Sequence, residues 1–192
     1  MVPTLTATLG VKGHRPVVGT RDCKDLLYAF AGVNCVDGRL HTRTLECPAA
    51  ESRRARENKP GRAGLSKTRR LQGAFAAHLR DVAKAYPPHL HPRVVLVIDN
   101  APWHRGGPVA AARADNPHLQ LYRLPSYSPR LAVIERFWKV LRRRATHNRL
   151  FDTLKDLKAS LRNSLRYFQT VRSRIMSLIG GCYTNATASA GV

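Results

Sequence analysis

Five consecutive apolar residues, Val94 to Ile98, stop at Asp99-Asn100, and this short run constrains the fold more than any other stretch of the chain. Three of the five are valine, one is isoleucine, and Pro92 and Asn100 flank the run. Such a segment suits a strand buried on both faces. A second strand-like run, Leu119 to Leu124, ends at Pro125. A turn follows over Ser126, Tyr127, Ser128 and Pro129, and a helix is expected from about Val133, with Glu135 in its first turn. Asp99 and Glu135 therefore stand at the ends of neighbouring elements, where two carboxylates can converge over the edge of a sheet. Converging carboxylates suit a hard divalent cation, because Mg²⁺ takes one or two of them together with phosphate oxygens and water.

Composition bounds the rest. At 192 residues the chain can bury one sizeable core, so one domain is expected over residues 1–180, with a disordered tail over 181–192. Thirty-three basic residues face 12 acidic ones, a formal charge of +21. That excess points to a polyanionic partner, nucleic acid before anionic membrane. No membrane-length apolar run and no signal-peptide pattern is present, which gives the cytoplasm as the expected location. The four cysteines, Cys23, Cys35, Cys47 and Cys182, form neither a C-x-x-C pair nor a zinc-finger spacing and read as reduced thiols.

Other elements follow from local chemistry. Leu26–Val36 and Arg39–Glu46, separated by Asp37-Gly38, read as a β-hairpin. Residues 48–65 read as a polar loop. Ser66 can cap a helix running to Tyr86, with Leu71, Ala74, Phe75, His78, Leu79 and Val82 on its inner face and Pro87-Pro88 as the stop. Lys67, Arg69, Arg70 and Arg80 lie on or beside its polar face. A short helix over Gly106–Asn116 is expected next. In the helix from Val133, Ile134, Phe137, Trp138 and Leu141 make an apolar stripe at i, i+3, i+4 and i+7, leaving Glu135 off its centre. Lys139 is the i+4 neighbour of Glu135, so an ordinary surface ion pair is the plain alternative to a metal role. Lys139, Arg142, Arg143 and Arg144 form a basic ridge suited to a phosphodiester backbone. A final amphipathic helix is expected over Thr153–Val171, with Leu154, Leu157, Leu161, Leu165 and Phe168 inward.

The pattern D-N-x-x-x-H at Asp99 to His104, together with L-P-x-Y-S-P-x-L-x-x-I-E-x-x-W at Leu124 to Trp138, resembles the DDE domain of IS630-type transposases, relatives of the Tc1/mariner group. The two-part motif is specific, and the likeness runs from about Lys12 to Gly180. It implies an α/β, RNase H-like fold with a mixed central sheet flanked by helices. It also implies metal-dependent DNA cleavage and strand transfer with Mg²⁺, or Mn²⁺ in its place. DNA, at transposon ends and at the target, is the implied partner. Asp99 matches the second acid of the family triad and Glu135 the third, with 35 residues between them. His104 would orient DNA or a metal-bound water, with capping of the following helix as the alternative.

Two departures from the family pattern matter. The first acid normally lies on a strand ahead of the turn that Lys12 to Pro16 resembles, yet residues 1–11 contain neither Asp nor Glu. The first catalytic strand is therefore expected to be missing and activity impaired. Asp37 reads as turn chemistry rather than a substitute. The family's Asn three residues before the Glu is replaced by Ala132. Three readings follow: an inactive catalytic-domain fragment; an enzyme completed in trans by an upstream fragment; and a non-catalytic basic DNA-binding remnant that associates with or inhibits an intact transposase. The expected protein partner is an upstream transposase fragment or a homo-oligomer.

Overall fold

A computed structural model describes residues 12, 25–47, 66–125 and 134–180. Two strands open it, β1 (Leu26–Val33) and β2 (Leu40–Cys47), paired antiparallel from Leu26↔Cys47 to Val33↔Leu40. The turn between them follows from its residues. The Asn34 side chain accepts the Val36 N–H, Asp37 accepts the Arg39 N–H, and Gly38 takes φ +70°. A Cβ on Gly38 would also lie 2.9 Å from the Arg172 carbonyl oxygen, so conformation and close approach both demand glycine there.

Helix α1 (Lys67–Ala85) begins where Ser66 accepts the Arg69 N–H and ends at Tyr86, ahead of Pro87. Strand β3 (Val94–Ile98) pairs in parallel with β4 (Leu119–Arg123), and α2 (Gly107–Ala114) makes the crossover between them. Three helices complete the described residues: α3 (Ile134–Ala145), α4 (Leu154–Thr170) and α5 (Arg172–Ile179). Thr153 and Asp156 cap α4 reciprocally, each side chain bonding the other's backbone N–H.

Strand alternation divides the core in two. Leu27, Ala29, Ala31 and Val33 of β1 pack with Leu40, Phe137, Leu141, Leu161, Phe168 and Ile175. Tyr28 and Phe30, on the opposite face, join α1, α2 and the β3–β4 pair through Leu71, Phe75, Leu79, Val109 and Leu119. The β1–β2 hairpin is thus a middle layer, with α3–α5 on one face and α1 on the other.

Three findings differ from the sequence reading. Val95 and Val97 are 52% and 60% exposed, so β3 is buried on one face only, the one carrying Val94, Leu96 and Ile98. The apolar run signalled a strand correctly, but the C-terminal helices pack on β1–β2 instead of covering β3. Among the described residues the antiparallel and parallel pairs form two separate two-stranded sheets, with no strand joining β1 to β3. Beyond Val171 the chain makes one more helix, α5, whose Ile175 and Ile179 are buried one turn apart. Its brevity and the basic residues Arg172 and Arg174 obscured the period. Expectations for residues 1–11, 13–24, 48–65, 126–133 and 181–192 lie outside the described residues. Cys47 is a free thiol. No described helix is long and apolar enough to cross a membrane.

His78 of α1 is buried, and its Nδ1 has no hydrogen-bond partner among the described residues. Burial holds its pKa at about 4, below the ordinary 6.5, against a smaller opposing pull from Asp81. The unfolded chain therefore binds more protons than the folded one between these values. Stability from neutral His78 is complete above pH 6.5 and is lost as pH falls towards 4. The expected loss is about 3 kcal/mol at full protonation. Urea denaturation of wild type and His78→Leu at pH 7.5 and 4.5 checks this: the wild type should lose more than the variant by about 2.5 kcal/mol.

Candidate active site

Asp99 follows directly on β3, where the parallel register ends at Ile98↔Arg123. The two strand ends are tied together. Leu124 N–H donates to the Ile98 carbonyl at 2.9 Å, and the Asn100 side chain donates to the Leu124 carbonyl at 2.6 Å. Asn100 thus fixes both the turn after Asp99 and the entry to the segment leading towards α3. Asp99 itself accepts the Ala101 N–H through Oδ1 at 2.9 Å, an Asx-type turn that holds its carboxylate at the strand end.

His104 closes the 3₁₀ turn Pro102–His104 and faces back onto this acid. Its Nδ1 lies 3.0 Å from Asp99 Oδ1 and 3.2 Å from the Asp99 carbonyl oxygen. The imidazole ring stacks on Phe75 of α1 with centroids 4.2 Å apart, and its side chain is only 12% exposed. The Asp99 side chain is 66% exposed. His104 is therefore a packed positioning group whose aromatic contact is anchored in the core. It does not cap α2, which begins at Gly106 without a side-chain cap. Trp103 meets His104 edge-on and packs against the second core cluster.

Glu135 is exposed in the first turn of α3. Phe137 and Leu141 of the same helix are fully buried, which fixes the helix rotation and turns Glu135 outward. A cavity of about 390 Å³ has both Asp99 and Glu135 in its wall, together with His104, Trp103 and Trp138. The two acids picked out from the sequence thus share one cavity. Among the described residues no ion pair joins Glu135 to Lys139, so the plain surface pair is not formed.

The basic residues divide by position. At roughly 100° per residue, Lys139, Arg142 and Arg143 lie within about 80° of Glu135 around the helix, and all three are exposed. Arg144 falls on the opposite side, where its guanidinium sits 3.9 Å from the centroid of the Tyr167 ring. It belongs to the α3–α4 packing rather than to the ridge beside the acid. On α1 three of the cations are engaged within the chain: Lys67 lies over the Tyr28 ring, Arg70 donates to the Glu46 carbonyl, and Arg80 pairs with Asp115.

Asp99 keeps its second carboxylate oxygen free of the contacts above, and Glu135 forms no ion pair among the described residues. Among the described residues no group of three His, Cys, Asp or Glu side chains could hold a metal. Sequence reasoning missed Phe75 as the support for His104. Its only signal was an inward position on α1, indistinguishable from ordinary core.

A family model for DDE superfamily endonucleases matches residues 28–158, more than half of the chain. The chain belongs to this family. Its fold is RNase H-like: a solved structure of the Mos1 transposase paired-end complex with left transposon end matches 93% of it, with a TM-score of 0.50 and 13% identity. The chain spans about half of that protein, 52% of its length. No curated protein matches the chain.

Removing the His104 side chain should release Asp99 from its support. His104→Ala is expected to lower stability by roughly 2 kcal/mol, from the lost stack and the lost hydrogen bond to a charged group. Thermal unfolding checks it; an unchanged midpoint would mean the His104 contacts carry nothing.

Proposed function

We propose that this chain is the catalytic unit of a transposase, in which Asp99 and Glu135 hold a divalent cation against a DNA phosphodiester. The observation that carries the reading is the cavity shared by these two acids, from elements 35 residues apart in sequence. Membership of the DDE endonuclease family and the fold likeness support it. Mg²⁺, with Mn²⁺ as a substitute, would activate the attacking oxygen and stabilise the leaving one. The protein's own part is electrostatic and geometric. Asp99 is held at the strand end by the Ala101 amide and His104. Glu135 is turned outward by the buried face of α3. Lys139, Arg142 and Arg143 offer exposed cations to backbone phosphates beside the acids, while Arg144 is occupied by Tyr167.

Two carboxylates make an incomplete site for two-metal chemistry, in which a carboxylate normally bridges the ions. The 192-residue chain is therefore expected to bind Mn²⁺ weakly, with Kd on the order of millimolar, and to give no detectable strand transfer. Asp99→Ala and Glu135→Ala should each weaken Mn²⁺ binding at least tenfold in a calorimetric titration. Binding unaffected by both substitutions would remove the proposed site. Measurable Mg²⁺-dependent plasmid nicking by the chain alone, abolished by Asp99→Ala, would show the site to be complete.

The partners in this reading are DNA, at transposon ends and target, and a second polypeptide, either an upstream transposase fragment or another copy. One observation favours a second reading as a non-catalytic DNA-binding remnant that associates with an intact transposase or inhibits it. The ridge is exposed, and the formal charge of +21 does not depend on metal. DNA affinity should then survive EDTA and fall steeply with salt. Replacing Lys139, Arg142 and Arg143 together by alanine should reduce the slope of log K against log salt by about 3. An unchanged slope would exclude the ridge as a phosphate contact.

A further inference from the structure

The outer face of the β3–β4 pair carries an apolar patch that the core does not use. The inner face of β3 presents Val94, Leu96 and Ile98, so alternation turns Val95 and Val97 outward. The register sets Val95 opposite Gln120 and Val97 opposite Tyr122, and these four side chains share the outer face. Tyr122 is 53% exposed, much like the two valines beside it. At one end of the face Arg93 Nε donates to the Gln120 side-chain oxygen at 2.8 Å, which leaves the terminal guanidinium nitrogens for another acceptor. At the other end β3 runs into Asp99, two residues past Val97 and so about 7 Å further along the strand.

Charge, area and spacing select the occupant of this face. A second copy is a poor fit, because each chain carries +21 and two such chains repel. The patch is also too small for a stable protein interface: three half-exposed apolar side chains offer on the order of 300 Å², against about 800 Å² per partner. The same charge attracts a polyanion, and Arg93 places a cation on the face itself. An exposed aromatic ring beside apolar neighbours suits a nucleic-acid base, which stacks through its π-face whatever its sequence. Bases inside a duplex have their faces covered by their neighbours, so only an unpaired strand can lay a base on Tyr122. From Arg93 to Asp99 the strand runs six residues, about 20 Å, room for several nucleotides.

We propose that the outer face of β3–β4 binds unpaired, single-stranded DNA leading to Asp99, with one base stacked on the Tyr122 ring against Val97 and a backbone phosphate held by Arg93. This rests on the reading of the chain as a DNA-processing unit and adds to it the form of the DNA: the strand beside Asp99 is unpaired. The contact is separate from the α3 ridge. Lys139, Arg142 and Arg143 act on any phosphodiester backbone, single or double, and salt weakens their pull. Tyr122 adds a contribution that salt does not screen and that a duplex cannot receive.

Fluorescence anisotropy with the full chain, in EDTA and across a salt series, tests the proposal without reference to metal or activity. The probes are a labelled mixed-sequence DNA strand of about 16 nucleotides and the same strand annealed to its complement. Tyr122→Ala should weaken single-strand binding at least about fivefold and leave duplex binding within about twofold. The slope of log K against log salt should not change, because no charge is removed. Tyr122→Phe, which keeps the ring, should bind like wild type. Tyr122→Leu, which keeps apolar bulk without a ring, should match Tyr122→Ala, and it carries the comparison if the alanine variant loses its native circular dichroism. Arg93→Gln should instead lower the single-strand salt slope by about 0.7, the value for one phosphate. Unchanged single-strand binding in Tyr122→Ala and Tyr122→Leu, or an equal loss on the duplex, would overturn the proposal. So would an unchanged slope in Arg93→Gln. A wild-type dimer in sedimentation that Tyr122→Ala dissociates would assign the face to a second copy and overturn it too. Loss of Mn²⁺ binding in Asp99→Ala leaves this proposal standing, whereas wild type that binds neither DNA form would remove the DNA reading itself.

Discussion

Strand β1 must bury both of its faces, and most of the structure depends on that demand. Its sequence, LLYAFAGV, contains no charged residue and no solvent side. One face takes α3, α4 and α5; the other takes α1 and, through α1, the β3–β4 pair. No helix among the described residues is left to cover the far face of β3, and Val95 and Val97 are open to solvent. Exposed valines on a parallel strand are otherwise costly, since such strands are normally covered on both sides. The imbalance follows from where the helices are used up.

The same demand reaches the acids. Phe75 of α1 is held in the core by the Phe30 side of β1, with ring centroids 6.3 Å apart. Its other contact is the His104 ring, and His104 in turn meets Asp99. A chain of three aromatic rings therefore links the buried face of β1 to an exposed carboxylate. The carboxylate's position is set from inside, by packing, rather than by its exposed surroundings. A loop after a strand would otherwise let Asp99 sample several rotamers, and a metal ligand that wanders loses affinity.

Much of this was legible before any coordinates. The hairpin turn at Asp37-Gly38, the cap at Ser66, the strand Val94–Ile98 and the buried stripe of α3 all follow from local rules and stand where those rules put them. Local rules failed where the outcome turned on competition between distant elements. An all-apolar strand reads as buried on both faces, and only the assembled layers reveal which helices are left to cover it. Arg144 looked equivalent to its neighbours in an Arg-Arg-Arg run, yet the helix turns it onto Tyr167. His104 offered a cap or a ligand role in sequence; its stacking partner is 29 positions away and could not be read from spacing. The separation of β1 from β3 is a property of edges, and sequence patterns report faces.

Helix α3 shows why the acid and the fold cannot be tuned separately. Phe137, Leu141 and Ala145 have no exposed surface, so the helix has one rotational setting. In that setting Glu135 and Lys139 share the outward side with Arg142 and Arg143. The cations lie close enough to draw a polyanion to the acids, and none of them forms an ion pair with Glu135 that a metal ion would have to break. A one-residue slip in the buried stripe would rotate the helix by about 100° and carry the acid and the ridge away from the cavity together. Core packing, the acid's outlook and the electrostatic approach of DNA are therefore set by the same three buried side chains.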